Sequence, residues 1–313
     1  MNNSFIDVCI CTHNPREEII AITLGSLARQ TIDKSKFRLL LVDNASSPPL
    51  SDALLAPLRD AGVQTRMVSE STPGLARARL KAIAETSSDW VLFLDDDNEL
   101  TPDYLDRGFN IMTGSSELGC FGGKLLLPDY IKPPRLLRPF LPYLAIKDHG
   151  DEVMTDRTDY WGPWEPPGAG SFVHRQVLDL YKSKAEHDEL FFQLGRTGSK
   201  SVASCEDSLM MRGAVQLGLY CSYQPSLRIV HHINPNRIRT RYLLKLMYGF
   251  GVSIATCELM LNKDMETPAD YRDYRSFLRL VKQTVRSEFA ASFIYTLGVI
   301  IMYYGQFKTY RER

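Results

Sequence analysis

Three consecutive aspartates, Asp95, Asp96 and Asp97, follow directly on the apolar run VLFL, and Glu99 adds a fourth acid. Adjacent carboxylates repel one another unless a cation or solvent compensates their charge. Alternate side chains of an extended segment share a face, so Asp95 and Asp97 are predicted to converge while Asp96 points away. Two carboxylates suit Mg²⁺ or Mn²⁺, which commonly take further ligands from phosphate. The stretch predicts a divalent metal site, and a solvated turn is the alternative.

Polar residues also end two other predicted strands. Thr12 is the last residue of a largely apolar run over residues 5–12, and Asn14 follows it. Asp43 lies at the end of a second run over 37–44. In parallel sheets ligands bind beyond the carboxyl ends of the strands, so these side chains are expected at the same edge as the aspartates. Asp43 is predicted to accept a hydrogen bond from a base or ribose, with a turn cap as the alternative.

The first half of the chain alternates between strand and helix patterns. Strands are predicted over 5–12, 37–44, 63–70 and 89–97, and helices over 17–30, 51–62 and 73–86. This alternation indicates an α/β fold with a mainly parallel sheet flanked by helices. Helical patterns predominate from Arg237 onward. We therefore predict an α/β region over 1–235 and a mostly helical C-terminal region over 236–313.

The composition is that of a globular protein and excludes few functions. Of 313 residues, 44% are hydrophobic and 24% charged, and 37 basic residues balance 37 acidic ones, which gives no indication of nucleic acid binding. Six cysteines without a CxxC pair indicate a reducing compartment. The start MNNSFIDVCI argues against a signal peptide. The apolar segment Phe289–Phe307 is slightly short for a bilayer span, so a buried helix or a helix on a membrane surface is expected.

Several phosphate and metal motifs are excluded. An EF-hand needs Gly at the sixth loop position, where this chain has Leu100. The loop CTHNPRE lacks GxGxxG, and no GxxxxGK(S/T) occurs in the sequence. A nucleoside diphosphate held by a metal and by side chains is the remaining interpretation.

The segments VCICTHN, LLLVDNAS, GLARAR, VLFLDDD, GAGSFVHR, CEDSLMMRGAVQLG and the later His231-His232 pair occur in this order over about residues 5 to 232. Together they resemble the inverting family-2 glycosyltransferases of the GT-A fold. The resemblance implies a nucleotide-diphosphate sugar donor, a divalent metal, Mn²⁺ or Mg²⁺, and inversion at the anomeric carbon. It also implies that residues 1–235 form the nucleotide-sugar-binding and catalytic domain, that residues 236–313 contact the acceptor or a membrane surface, and that Asp207 is the general base.

The resemblance assigns further residues to the site. Those implied around the nucleotide donor are Thr12, Asn14, Asp43, Arg77, Asp95 and Asp96. Asp97 is implied as a metal ligand, together with His232 or, alternatively, His231. The residues expected on the sugar and acceptor side are Gly168, Ala169, Gly170 and Glu206. Trp164, in the aromatic segment DYWGPWEPP, is a candidate acceptor platform because aromatic rings stack on sugars; a core-covering role is the alternative.

The sequence thus predicts a cytoplasmic transferase that adds a sugar to a growing glycan. A UDP-sugar is the favoured donor, with GDP or dTDP as alternatives, and the expected acceptor is a saccharide or a lipid-linked glycan. A peripheral membrane contact through the C-terminal helices is expected, at the inner face of the membrane. The alternatives are a non-catalytic nucleotide- or glycan-binding module and a sugar nucleotidyltransferase. The second would require a Gly-rich, Lys-bearing loop in place of CTHNPRE.

Overall fold

A computed structural model describes residues 5–188, 190–195, 205–262, 264–288 and 292–312. The strands in these ranges are β1 (Ile6–Thr12), β2 (Phe37–Asn44), β3 (Gln64–Glu70), β4 (Trp90–Leu94), β5 (Asn98–Leu100), β6 (Leu118–Leu126), β7 (Met154–Asp156), β8 (Ser171–His174) and β9 (Tyr220–His231). The helices are α1 (Glu17–Ala28), α2 (Ala56–Asp60), α3 (Leu75–Ala84), α4 (Tyr104–Gly114), α5 (Arg175–His187), α6 (Phe191–Leu194), α7 (Glu206–Gln216), α8 (Thr240–Leu261), α9 (Tyr274–Glu288) and α10 (Phe293–Arg311).

The strands form one mixed sheet in the order β3-β2-β1-β4-β8-β6-β9-β5, with β7 pairing to β9. β1 pairs in parallel with β2 and β4, β2 with β3, and β6 with β9. β8 runs antiparallel to β4 and β6, and β5 runs antiparallel to β9. The predicted α/β fold with a mainly parallel sheet flanked by helices is confirmed.

The central strands are nearly continuous apolar runs because helices cover both faces of the sheet. Val8, Ile10, Leu41 and Leu92 are fully buried in β1, β2 and β4. Parallel pairing from Thr12 to Asp43 aligns the ends of β1 and β2. The polar residues that follow these strands therefore lie at a common edge of the sheet.

The chain divides into two compact units. The first contains the residues up to Pro128, Ile146–His187 and Asp207–His232. The second contains Asp129–Ala145, Asp188–Glu206 and the chain from Ile233 onward. The predicted boundary at 235 falls close to the one after His232. The second unit also takes in two earlier segments, which hydrophobic periodicity alone does not connect to it.

The second unit includes the helices α8, α9 and α10. Gly251 of α8 packs directly on the backbone of Met302 in α10, where an added Cβ would lie 1.9 Å from the Met302 carbonyl oxygen. By length and composition, α8 is the one described helix that could cross a membrane, and 56% of its apolar window is buried in the protein, as in a core helix. Residues 289–291 of the predicted apolar segment lie outside the described residues, and most of the rest forms α10.

Candidate active site

The three aspartates form a turn between β4 and β5. Residues 95–97 form a turn and are not extended. The next strand, β5, begins directly afterwards at Asn98 and pairs with β9. The Asn98 side chain accepts a hydrogen bond from the Asp95 backbone N–H at 3.2 Å, which closes the turn. The Asp96 carboxylate accepts a hydrogen bond from the Thr12 hydroxyl at the end of β1. The predicted strand-like alternation of these side chains is therefore wrong.

Asp97 lies beside His231 at the end of β9. Pairing of β5 with β9 places Asn98 opposite His231, so the preceding Asp97 reaches the histidine pair. Oδ1 of Asp97 is 3.2 Å from Nε2 of His231, and the Asp97 carbonyl accepts a 2.8 Å hydrogen bond from the His232 N–H. Nε2 of His232 lies 2.9 Å from a Glu99 carboxylate oxygen. His231, the alternative to His232, is thus the histidine whose ring adjoins the Asp97 carboxylate.

His231 has the features of a metal ligand. The residue is 4% exposed, and within the described part of the chain neither ring nitrogen makes a hydrogen bond, although Nε2 is close to Asp97. A buried polar atom without a hydrogen bond is destabilising and calls for an explanation such as a bound ion. An imidazole and a carboxylate facing each other fit a divalent cation. The described residues hold no cluster of three or more His, Cys, Asp or Glu that could bind a metal.

Asp207 lies in the first turn of α7 and is held by backbone donors. One carboxylate oxygen accepts from the Gly168 N–H at 3.0 Å, and the other from the Ser208 N–H at 3.0 Å. An added Cβ on Gly168 would lie 2.6 Å from Cβ of Asp207, so only glycine permits this approach. An acid is also favoured at a helix N-terminus by the helix dipole. Glu206, directly before Asp207, is buried at the start of the same helix.

The loop containing Gly168 connects Asp207 with the aspartate turn. The Gly170 N–H donates to the Phe93 carbonyl at 2.7 Å, at the carboxyl end of β4. Asp95 follows Phe93 by two residues. Gly170 has φ +69°, and the space for a Cβ there is filled by Ile229. Asp207 and the turn over 95–97 therefore lie at the same edge of the sheet.

Packing explains the GAG segment at the site. The Cβ positions of Gly168 and Gly170 face side chains of this chain, and Ala169 between them is 4% exposed. The glycines are therefore required to bring the loop against α7 and the end of β4. The predicted position of Gly168, Ala169 and Gly170 on the sugar and acceptor side stays a prediction.

Asp43 and Asn14, two of the residues predicted on the nucleotide side, both bond to the segment over residues 46–50. The two carboxylate oxygens of Asp43 accept from the backbone N–H groups of Ser46, at 3.1 Å, and Leu50, at 2.9 Å. This is the geometry of the turn-cap interpretation. Asn14 has φ +49°, and its side-chain oxygen accepts from the Ser47 N–H at 2.8 Å. Asn14 lines a cavity of about 620 Å³ against residues 46–54.

Two arginines on α3 differ in their environment. Arg77, predicted near the nucleotide, is half-buried in the first turn. Arg79 is 4% exposed, and its guanidinium donates to the Gly168 carbonyl at 3.3 Å and lies 5.7 Å from the Phe93 ring centre. Arg79 was not among the residues predicted for the site. Its only sequence signal was that GLARAR places two arginines on different sides of one helix.

Glu165 is a second buried residue near Asp207 that was not predicted for the site. It is 7% exposed, and burial raises its pKa to about 7. The nearby Lys147 ammonium and a hydrogen bond with Ser208 act in the opposite direction and lower the pKa. A carboxyl group with a pKa near neutrality thus lies close to Asp207.

Trp164, one residue before Glu165, is half-buried, and its ring centre lies 5.7 Å from that of the exposed Tyr160. Its position is compatible with either an acceptor platform or a cover for the core.

The fold and the polar edge together define an α/β protein of the GT-A type. Residues 7–124 match the family model described as Glycosyl transferase family 2. The resemblance read from the sequence is thereby confirmed over this part of the chain. Comparison with curated proteins finds no match.

A solved structure of S. aureus TarS shares the fold. One TarS chain matches with a TM-score of 0.52 and 13% sequence identity, over 98% of this chain and 54% of the TarS chain. A structure of TarS 1-349 in complex with UDP-GlcNAc matches with a TM-score of 0.48 and 13% identity, over 98% of this chain and 89% of that one. This chain spans about half the length of the longer TarS chain.

Proposed function

We propose that the protein is an inverting glycosyltransferase that transfers a sugar from a nucleotide-diphosphate donor to a saccharide or lipid-linked acceptor. The observation that carries the proposal is the position of Asp207, which the Gly168 N–H ties to the edge bearing Asp95–Asp97. Such an edge is where ligands of α/β sheets bind. The family match over residues 7–124 supports glycosyl transfer as the reaction.

In this mechanism Asp207 acts as the general base. The acceptor hydroxyl loses its proton to the carboxylate as its oxygen attacks the anomeric carbon and the diphosphate leaves. General base catalysis of this kind contributes roughly 10²–10⁴-fold to the rate. The N–H groups of Gly168 and Ser208 hold the carboxylate in place, so little reorganisation precedes proton transfer. One base without a covalent intermediate accounts for inversion.

Asp97 and His231 would hold the divalent cation, which supplies positive charge to the departing diphosphate. Asp97 is the acid predicted for this role, and the hydrogen-bond pattern of the two histidines favours His231 over His232. A ligand set with an imidazole suits Mn²⁺ better than Mg²⁺, which binds through oxygen. The rest of the coordination shell would come from the diphosphate and water.

The donor and the cellular context complete the proposal. A UDP-sugar is the favoured donor, with GDP- and dTDP-sugars as the alternatives. The half-buried Trp164 and the buried Glu206 are proposed on the acceptor side. The protein is proposed to work in the cytoplasm, in peripheral contact with the membrane that carries a lipid-linked acceptor.

The base assignment is tested with Asp207→Asn. The amide keeps an oxygen that accepts from Gly168 but removes the proton acceptor, so transfer should fall by at least about 10²-fold. Nucleotide binding should be unchanged. Asp106→Asn is the matched control, because Asp106 is also a first-turn acid but is exposed on α4. Transfer that survives in Asp207→Asn would refute the assignment.

The donor and the metal are tested by thermal shift. UDP, GDP, dTDP and CMP are each added with and without Mn²⁺, and one diphosphate is expected to stabilise the protein only when the metal is present. His231→Ala should abolish this metal-dependent shift, whereas His232→Ala should retain it. Flat melting curves with every nucleotide would favour a non-catalytic glycan-binding module or a donor outside this set.

A further inference from the structure

The outward side of α9 presents large apolar side chains to solvent. Tyr274, Leu278 and Val285 are 63%, 40% and 40% exposed. Their spacing of i, i+4 and i+11 places them in one stripe along the helix. Tyr304 of α10 is 51% exposed, and its ring centre lies 6.5 Å from that of Phe277 in α9.

A basic stripe runs beside the apolar one. All four of its members are exposed, and the spacing i, i+4, i+7 and i+11 aligns them along the helix. They are Arg275, Arg279, Lys282 and Arg286. The apolar and basic stripes together are called the α9 outer face.

The side of α9 next to the apolar stripe packs into the protein core. Phe277 and Thr284 are 7% and 5% exposed, and the Phe277 ring stacks on Phe307 of α10 at 4.8 Å. Phe277 also belongs to a core cluster with Ala255 and Tyr310. Because this contact anchors the helix, the α9 outer face keeps its orientation relative to α10. Its apolar stripe lies between the anchored side and the basic stripe.

We propose that the α9 outer face binds a membrane surface that contains anionic lipid. An apolar stripe that enters the headgroup region, next to basic residues that meet lipid phosphates, is the pattern of an interfacial helix. At 15 residues with four basic side chains, α9 is too short and too charged to span a bilayer. Each Lys or Arg near an anionic surface strengthens binding roughly five-fold. This inference specifies the membrane contact included in the proposed function, and its test uses no transfer activity, so the two can fail separately.

The test is co-sedimentation of the full chain with vesicles. One set contains phosphatidylcholine alone, and the other an equal mixture of phosphatidylcholine and phosphatidylglycerol. The protein should sediment with the mixed vesicles only, and high salt should release it. Arg279→Gln/Lys282→Gln should weaken binding roughly 25-fold, as expected for two charges. The control Lys182→Gln/Arg228→Gln removes two exposed basic residues of the other compact unit and should bind within two-fold of wild type.

A third variant, Leu278→Ser, tests the apolar stripe. It should weaken binding to mixed vesicles without changing the salt dependence, since no charge is altered. Melting temperatures establish that each variant is folded. Failure of the wild type to bind mixed vesicles, or equal loss in the control variant, would overturn the proposal. Self-association abolished by Leu278→Ser, with no vesicle binding, would assign the surface to a second copy of the chain and would also overturn it.

Discussion

Replacement of Glu165 by glutamine should change how the stability of the protein depends on pH. Glu165 is 7% exposed, and burial is the main cause that raises its pKa to about 7. The charged groups that face it are Lys147 and Arg212, which favour the ionised form, and Asp207, which opposes it. The Ser208 side chain also bonds to the carboxyl group. Burial outweighs the two cations because neither forms a close ion pair with this carboxyl among the described contacts.

The sign of the effect follows from proton linkage. A carboxyl with a higher pKa in the folded than in the unfolded protein holds its proton more tightly when folded. The free energy of unfolding therefore falls as pH rises from the ordinary glutamate value of 4.5 to about 7, and it is flat above that range. At about 1.4 kcal/mol per pH unit, the full effect is about 3 kcal/mol, and the part between pH 5.5 and 8 is about 2 kcal/mol.

The assay is urea unfolding of wild type and Glu165→Gln at several pH values between 5.5 and 8. The glutamine carries no charge at any of these values, so the variant should gain stability relative to wild type by about 2 kcal/mol across the range. Effects of all other titrating groups cancel in this difference. Glu152→Gln, the same change at an exposed position, is the control for removal of one charge.

Parallel curves for wild type and Glu165→Gln between pH 5.5 and 8 would refute the reasoning. They would mean that Glu165 is already ionised in the folded protein, and that Lys147 and Arg212 outweigh burial. A gap that narrows with rising pH would contradict the sign itself. A constant offset in addition to the pH-dependent gain would indicate a packing change and would leave the pKa argument intact.

Gly168→Ala should lower transfer activity at least ten-fold and destabilise the protein by about 1–3 kcal/mol, because the new methyl group would lie 2.6 Å from Cβ of Asp207. Gly114→Ala is the control, because an added Cβ at Gly114 would meet open space. Unchanged kinetics of Gly168→Ala would contradict the packing argument. Asp7→Asn should destabilise the protein by about 2 kcal/mol, because fully buried Asp7 pairs with the Arg38 guanidinium. Burial alone would raise the Asp7 pKa, but hydrogen bonds from Arg38 and the backbone lower it overall. The deficit in urea unfolding should therefore be full at pH 7 and shrink below the ordinary aspartate value of 3.8; a deficit that persists in acid would assign it to packing.

Much of the fold was predictable from local patterns. Apolar runs such as FRLLLVDN and the intervening helical periods identify a parallel α/β sheet, because burial on both faces demands continuous apolar strands. Parallel strands share one edge, so the polar ends of β1, β2 and β4 were expected together without any coordinates. The order of the short motifs was enough to reveal the family resemblance.

The division into compact units was less accessible to the sequence. The segment Asp129–Ala145 belongs with the C-terminal helices rather than with its neighbours in the chain. Its 3₁₀ helix over Arg135–Leu144 contributes buried Phe140, whose ring meets Tyr295 of α10 at 5.3 Å. Contacts between segments so far apart in the sequence produce no hydrophobic periodicity, because each of the two segments contributes only a few apolar residues.

The sequence by itself determined which residue types are available for chemistry and at which strand ends they stand. Only the tertiary structure decided which histidine of the adjacent pair lies beside Asp97, because strand pairing sends neighbouring side chains to opposite faces. It also decided that Gly168 reaches Asp207, and that Glu165 is buried. These outcomes depend on how a loop packs against a helix far along the chain, and burial and pKa are properties of that packing rather than of residue type.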